Sequence, residues 1–165
     1  MLQPAELEWQ HARFEQLSLQ QLYALLQLRA QVFILEQGPY QDLDGLDQHS
    51  VHLMGYAPDG RMLAYLRIVD AGHKYEEPSM GRVVCALATR GTGLGRELVR
   101  RGVALCDALY PEQANRISAQ AHLQAFYRGF GFEPCSEIYS EDNIPHIKML
   151  RPAASPTLAL QGDSP

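Results

Sequence analysis

The sequence has few cysteines, one tryptophan, no clustered positive charge and no long apolar run. Each shortage excludes something. Cys85, Cys106 and Cys135 are an odd three at wide spacing, so neither a disulfide framework nor a CxxC zinc pattern is available. A reducing cytoplasm is the expected home. No stretch approaches the ~20 apolar residues of a membrane helix. The opening MLQPAELEWQ lacks a basic segment followed by an apolar one, so no signal peptide is expected. Lys and Arg total 14 against 19 Asp and Glu, and the basic residues are scattered. Nucleic acid is therefore not an expected partner, because phosphate backbones need a clustered basic surface. What remains is a chain of 165 residues, 46% hydrophobic, which suffices for one domain with its own core.

Periodicity divides the chain. Residues 8–14 read as a short strand. Ser18 reads as the N-cap of a helix over 19–33, where Leu19, Leu22, Tyr23, Leu26, Ala30 and Phe33 recur at helical spacing. EQGPYQDLDGLDQHS reads as a long loop. VHLMGYA and MLAYLRIVD flank Pro58-Asp59-Gly60 and predict a hairpin. MGRVVCALA is a further buried strand. After RGTGLG, Leu94, Leu98, Leu105 and Leu109 predict one face of a second long helix. RISAQA predicts a strand and HLQAFYRGFGF a short helix ending at Gly131. EPCSEIYS and HIKML predict late strands around the turn EDNIP. The order β, α, β, β, β, α, β, α, β, β indicates one mixed α/β domain over 7–151. The tail 152–165 is aperiodic and rich in Pro, Ala and Ser, and is expected to be disordered.

Three glycines in RGTGLG stand where a strand runs into a helix. Such a junction is a recurring anion site. The first turn carries unpaired N–H groups and a partial positive charge, and glycine lets the main chain come close. Phosphate is the first inference, and a bare strand-to-helix turn the alternative. A P-loop is excluded because its Lys and hydroxyl residue are missing. The dinucleotide fingerprint fails because Arg96 occupies its third glycine position and the motif lies late in the chain.

Arg90-Gly91-Thr92-Gly93-Leu94-Gly95 spells R-x-x-G-x-G, and residues 121–132 follow with AHLQAFYRGFGF. Together these resemble the two signatures of the GNAT superfamily, the Gcn5-related N-acetyltransferases. QLYALLQLRAQVFILEQGPYQDLDG and EDNIPHIKM further resemble its ElaA-type bacterial branch. The resemblance covers residues 7–150. It implies a mostly antiparallel twisted sheet of six to seven strands, splayed in the middle, with helices on both faces. It implies acetyl-CoA as co-substrate and an amine as acceptor. The diphosphate would lie on Gly91, Thr92, Gly93, Leu94, Gly95 and Arg96, with Arg90 adding charge. The pantetheine arm would pair beside Val83, Val84 and Cys85, with a strand N–H near Cys85 facing the thioester oxygen. Gln120 falls where many members carry a cofactor-touching Asn. Tyr127 falls where the family places a general acid for the departing thiol.

The proton acceptor is open among Glu36, Glu141 and His146, since any carboxylate or imidazole within reach of the amine would serve. Arg67 shares a strand face with Tyr65 and needs an acidic partner if buried. Asp42, Asp44, Asp47, His49 and His52 cluster, but follow neither the calcium-loop nor the zinc spacing, so no metal is expected. The acid loop 41–47 instead favours a cationic acceptor. An exposed last strand would permit a homodimer. A binding module that senses acyl-CoA without turnover is the alternative of a different class.

Overall fold

Eight strands form two four-stranded antiparallel sheets in the computed structural model, which describes residues 2–154. The first sheet takes β1 (Glu8–Arg13), β2 (Ser50–Tyr56), β3 (Met62–Val69) and β4 (Ser79–Cys85) in chain order. The second is built on β5 (Asn115–Gln120), with β6 (Glu133–Pro134), β7 (Tyr139–Glu141) and β8 (Ile144–Arg151). The tail expected to be disordered lies outside the described residues from position 155 onward.

The predicted hairpin is present. Gly60 turns at φ +89°, and the Asp59 carboxylate accepts from Arg61 N at 3.0 Å. On β3, Ala64, Leu66 and Ile68 join one core cluster while Tyr65 joins another. The strand is covered on both faces. Helix α1 (Leu19–Arg29) packs one face with Leu25 and Leu28. Helix α2 (Leu94–Leu109) packs the other with Leu98, Val99, Val103 and Cys106. A Cβ at Gly102 would meet Leu66 Cδ2 at 2.5 Å and Met80 Sδ at 2.8 Å. The bare glycine therefore sets how closely α2 lies on the sheet. The predicted stripe holds for Leu94 and Leu98, with Val99, Val103 and Cys106 beside it, and fails only at its far end. Leu109, expected on it, is 43% exposed.

The first helix is corrected in two ways. Leu19 and Tyr23 are 83% and 74% exposed, and the buried side holds Leu25, Leu28, Arg29 and Val32. A segment apolar on nearly every side carries little phase information, and a buried arginine inverts what there is. The helix also does not stop at Phe33. It widens into a π-helix over Ala30–Glu36.

The sheets meet only where β4 and β5 begin. Arg116 N donates to Pro78 O at 3.1 Å, and Met80 N donates to Asn115 Oδ1 at 3.2 Å. Beyond that junction the strands part, and residues 79–83 and 117–120 line a cavity between them. This is the expected splay. The strand count is eight rather than six or seven, because EPCSEIYS yields two short pieces, β6 and β7. Lys148 N donates to Ser136 Oγ between them at 2.9 Å, so a side chain replaces the ladder there. The last strand is not an exposed edge. β8 pairs β5 on one side and β6 and β7 on the other, so it does not offer the exposed edge that would permit a homodimer. No helix among the described residues is long and apolar enough to cross a membrane.

Candidate active site

The splay forms a cavity of about 120 Å³. Its lining includes Val83, Gln120, Tyr127, Glu141 and His146 from the expected set, together with Arg67, Lys74, Arg82 and Ser118. Tyr127 reaches it from α3 (Gln124–Arg128). Its ring is held edge-on by Phe126 and Phe132, at centroid distances of 5.2 and 5.9 Å. Burial pushes the phenol up to about 12. Its hydroxyl has no hydrogen-bond partner among the described residues, and it is not among the fully enclosed polar atoms. A phenol anchored by its ring, with its hydroxyl free toward the cavity, is placed to give a proton to something that enters.

His146 and Glu141 sit on opposite arms of the β7–β8 hairpin, diagonal to one another in its register, and its turn at Asp142 and Asn143 takes positive φ at both residues. His146 Nδ1 lies 2.7 Å from Ile144 O, an acceptor only, so Nδ1 carries the hydrogen. Nε2 is left as the basic nitrogen, 3.4 Å from Glu141 Oε2. Ser118 Oγ donates to the same carboxylate oxygen at 3.0 Å and holds it in place. A proton arriving at Nε2 would thus meet a fixed negative charge.

β4 bulges beside the cavity. Ladder pairing with β3 shifts register between Tyr65 and Arg67, leaving Arg82 and Val83 without partners, and Arg82 sits at φ +50°. That backbone is held by its own side chain. Arg82 Nε donates to Asp42 Oδ1 at 3.0 Å, and its guanidinium lies 4.9 Å from the Tyr40 ring. The irregular main chain in the cavity is therefore at Arg82–Val83, not at Cys85 as expected. Cys85 pairs in register with Ala64 and lies outside the lining, and burial pushes its thiol up to about 11. Val84 turns away to pack with Leu25 and Tyr65.

A buried ion network supports this wall. Arg29 donates to Asp42 and Asp47, Arg67 to Asp44 and Asp47, and Arg82 to Asp42 and Asp44. Burial works to raise the Asp44 and Asp47 carboxyls. Hydrogen bonds and charge from the arginines override it and hold both well below the usual range. Arg67 has the acidic partners it was expected to need. The acid loop has no spare charge to offer a cation, however, since three arginines neutralise its three aspartates. His52 completes the layer, accepting from Tyr65 at Nδ1 (2.7 Å) and donating from Nε2 to Asp47 O (2.9 Å). Burial lowers its pKa, in keeping with that neutral tautomer.

The glycine loop is shaped for close approach. Gly91 and Gly93 sit at φ +79° and +83°, and a Cβ on either, or on Gly95, would meet nothing within 4 Å. The N–H groups of Gly91, Gly93, Gly95 and Arg96 take no acceptor among the described residues, while Leu94 N donates to Thr92 Oγ1 at 3.3 Å. Arg96 lays its guanidinium over the Phe126 ring at 5.8 Å. Arg90 donates to both Glu36 carboxylate oxygens, at 2.5 and 2.7 Å. That pair joins the end of the π-helix to the loop, and it keeps Glu36 out of the cavity lining. Of the three candidate bases, the fold brings Glu141 and His146 to the cavity and leaves Glu36 at the rim.

Sequence reasoning missed Lys74, Arg82 and Ser118. Lys74 lies in a loop without periodicity, and the other two sit on strands whose facing depends on the bulge and the splay. Alternation on β5 was the one usable signal, since Ser118 and Gln120 share a face.

Comparison with known proteins agrees with this architecture. A family model described as an acetyltransferase (GNAT) domain matches residues 15–151. ElaA of Escherichia coli (strain K12) is 44% identical over 148 residues, covering 88% of this chain and 96% of its own. The crystal structure of an acyl-CoA N-acyltransferase from Pseudomonas aeruginosa superposes with a TM-score of 0.84 at 46% identity, over 88% of this chain and 99% of that one. The crystal structure of Escherichia coli ElaA gives 0.82 at 43%, over 88% and 99%. The chain belongs to the GNAT family of acetyltransferases, alongside ElaA, and is an N-acetyltransferase.

Proposed function

We propose that the protein, as a cytoplasmic enzyme whose catalytic domain is 7–151, moves an acetyl group from acetyl-CoA to a primary amine by direct transfer in a ternary complex. The observation that carries this reading is the free Tyr127 hydroxyl in the cavity between the splayed strands. Acetyl-CoA supplies an activated thioester carbonyl. Main-chain N–H groups of residues 91–96, with the α2 dipole behind them, suit its diphosphate. The unladdered main chain at Arg82–Val83 offers donors toward the thioester oxygen, and one such donor in a dry site is worth roughly 3 kcal/mol.

His146 Nε2 takes the proton of the incoming ammonium, with Glu141 facing the charge it gains. Tyr127 gives its proton to the departing sulfur as the C–S bond breaks, and the phenolate is reprotonated by the second proton that the acylated nitrogen sheds. A phenol near 12 is a weak acid, but a thiolate released in the same dry core is a stronger base than in water. The Cys85 thiol, pushed up to about 11, illustrates the effect. Direct transfer is favoured because Cys85 lies outside the cavity and stays protonated.

Tyr127→Phe tests the assignment. We expect kcat to fall roughly 100-fold, the scale of general acid catalysis, with CoA affinity unchanged. Stability should stay within about 0.5 kcal/mol, since the hydroxyl has no partner to lose among the described residues. Unaltered turnover would remove Tyr127 as the acid. Release of free thiol from acetyl-CoA across an amine panel separates enzyme from sensor. Thermal stabilisation by CoA without thiol release from any amine would support the binding module instead.

A further inference from the structure

Three cations line the same cavity, and the proton-transfer scheme uses none of them: Arg67, Lys74 and Arg82. Arg67 is 1% exposed. Its Nη1 donates to Asp44 and Asp47 and its Nη2 to Asp44, but its Nε is buried with no acceptor. An enclosed donor on a charged group is costly to leave unmade, and few are found in folded proteins. Lys74 makes no ion pair among the described residues. Burial lowers its pKa, and Arg67 and Arg82 lower it further against the pull of Glu141 and Asp44. Across this wall Arg29, Arg67 and Arg82 are matched by Asp42, Asp44 and Asp47, while Glu141 is engaged by Ser118 and His146. Glu141 faces a neutral His146, so its charge formally balances that of Lys74, which is the one cation of the three lining the cavity that makes no ion pair among the described residues.

We infer that the cavity receives an anionic group of the acceptor, a carboxylate or a phosphate, on Lys74 Nζ and Arg67 Nε, so that the acceptor is an amine bearing an acid group. This rests on the cavity being the acceptor site. The anion gives Arg67 Nε its missing acceptor and gives Lys74 a counter-charge in a half-buried place, where charge-assisted bonds are strongest. It also holds the amine end of a small molecule at a fixed distance from His146 and Tyr127. The acid loop exerts no opposing field because its aspartates are already paired.

The test uses acetyl-CoA with the L-amino acids, their matched L-amino acid amides, and phosphoethanolamine, read by thiol release. At least one acid or the phosphate should exceed its neutral counterpart in kcat/KM by roughly 10-fold. Phosphoethanolamine ahead of the amino acids would identify the anion as phosphate, and the reverse order as carboxylate. Lys74→Met should remove the preference through KM while leaving the amides and CoA affinity unchanged; a purely structural lysine would move both series together. Arg67→Lys, which keeps the charge and deletes Nε, should lose part of the preference. Amides turned over as well as acids, or a preference that survives Lys74→Met, would overturn the inference. If no amine is turned over, the backbone amides of Gly81, Arg82 and Ser118 decide it under titration with the same acids in the presence of CoA. Shifts that vanish in Lys74→Met keep the anion site and discard the catalytic scheme, while no shifts discard the site.

Discussion

Gly93→Asp should abolish CoA binding in a chain that still folds. Gly93 sits at φ +83° immediately before α2, and the space where its Cβ would stand is open. Asp and Asn are the non-glycine residues that best tolerate this left-handed conformation, so the fold should lose only about 1 kcal/mol. The new carboxylate, however, would occupy the position proposed for the diphosphate and repel it. Losing two charge-assisted bonds of about 1.5 kcal/mol each weakens affinity by roughly 100-fold before repulsion is added. Gly93→Asn adds similar bulk without charge and should fall between Gly93→Asp and wild type. Calorimetric titration with CoA, beside a thermal melt, checks the pair. Wild-type affinity in both variants would mean that the diphosphate does not lie on this loop.

Arg29→Met should produce the largest loss of stability. Arg29 is fully buried and pairs with Asp42 and Asp47 at 3.0 and 2.7 Å. Removing one member of a buried pair leaves uncompensated charge and costs about 3–5 kcal/mol. The low end is expected, because Asp47 keeps Arg67 and Asp42 keeps Arg82. For a domain of this size that lowers Tm by roughly 6–12 °C. A melt within about 1 °C of wild type would show that the network contributes no net stability. Adding Asp47→Asn should recover part of the loss, since it removes the excess negative charge and leaves two aspartates against Arg67 and Arg82.

The same network sets the acid limit. Asp44 and Asp47 ionise lower in the folded chain than in the unfolded one, so the unfolded state binds more protons below about pH 4. Their contribution is complete above that pH and drains away as the pH falls further. Asp44→Asn should therefore be less stable than wild type at neutral pH and lose less on acidification. Urea midpoints measured from pH 6 to pH 2 test this. Parallel curves for the two proteins would exclude Asp44 as a source of the acid sensitivity.

Much of the site was legible because its chemistry is local. The strand, glycines and helix of residues 80–109 are contiguous, and a helix N-terminus presents free N–H groups wherever it forms. Tyr127 was legible through the resemblance of residues 121–132 to the family's second signature, and the β7–β8 turn through Asp142-Asn143. The first helix was not. Leucines on every side left its phase undetermined, and Arg29 on the buried face contradicts any hydrophobic rule. Glu36 looked as good a base as His146 because both follow helix or turn signals. Only the Arg90 contact, 54 positions along the chain, takes it away from the cavity.

The sequence alone determined most of the elements, the family and the glycine turn proposed for the diphosphate, since each depends on residues within a few positions of one another. The tertiary structure decided where β4 and β5 part, which strand bulges, and which of the charged side chains are already neutralised. Those depend on pairings between distant segments, and a charge in a sequence carries no mark of its partner. That is why an acid loop read as an invitation to a cation folds into an already neutralised wall of the cavity.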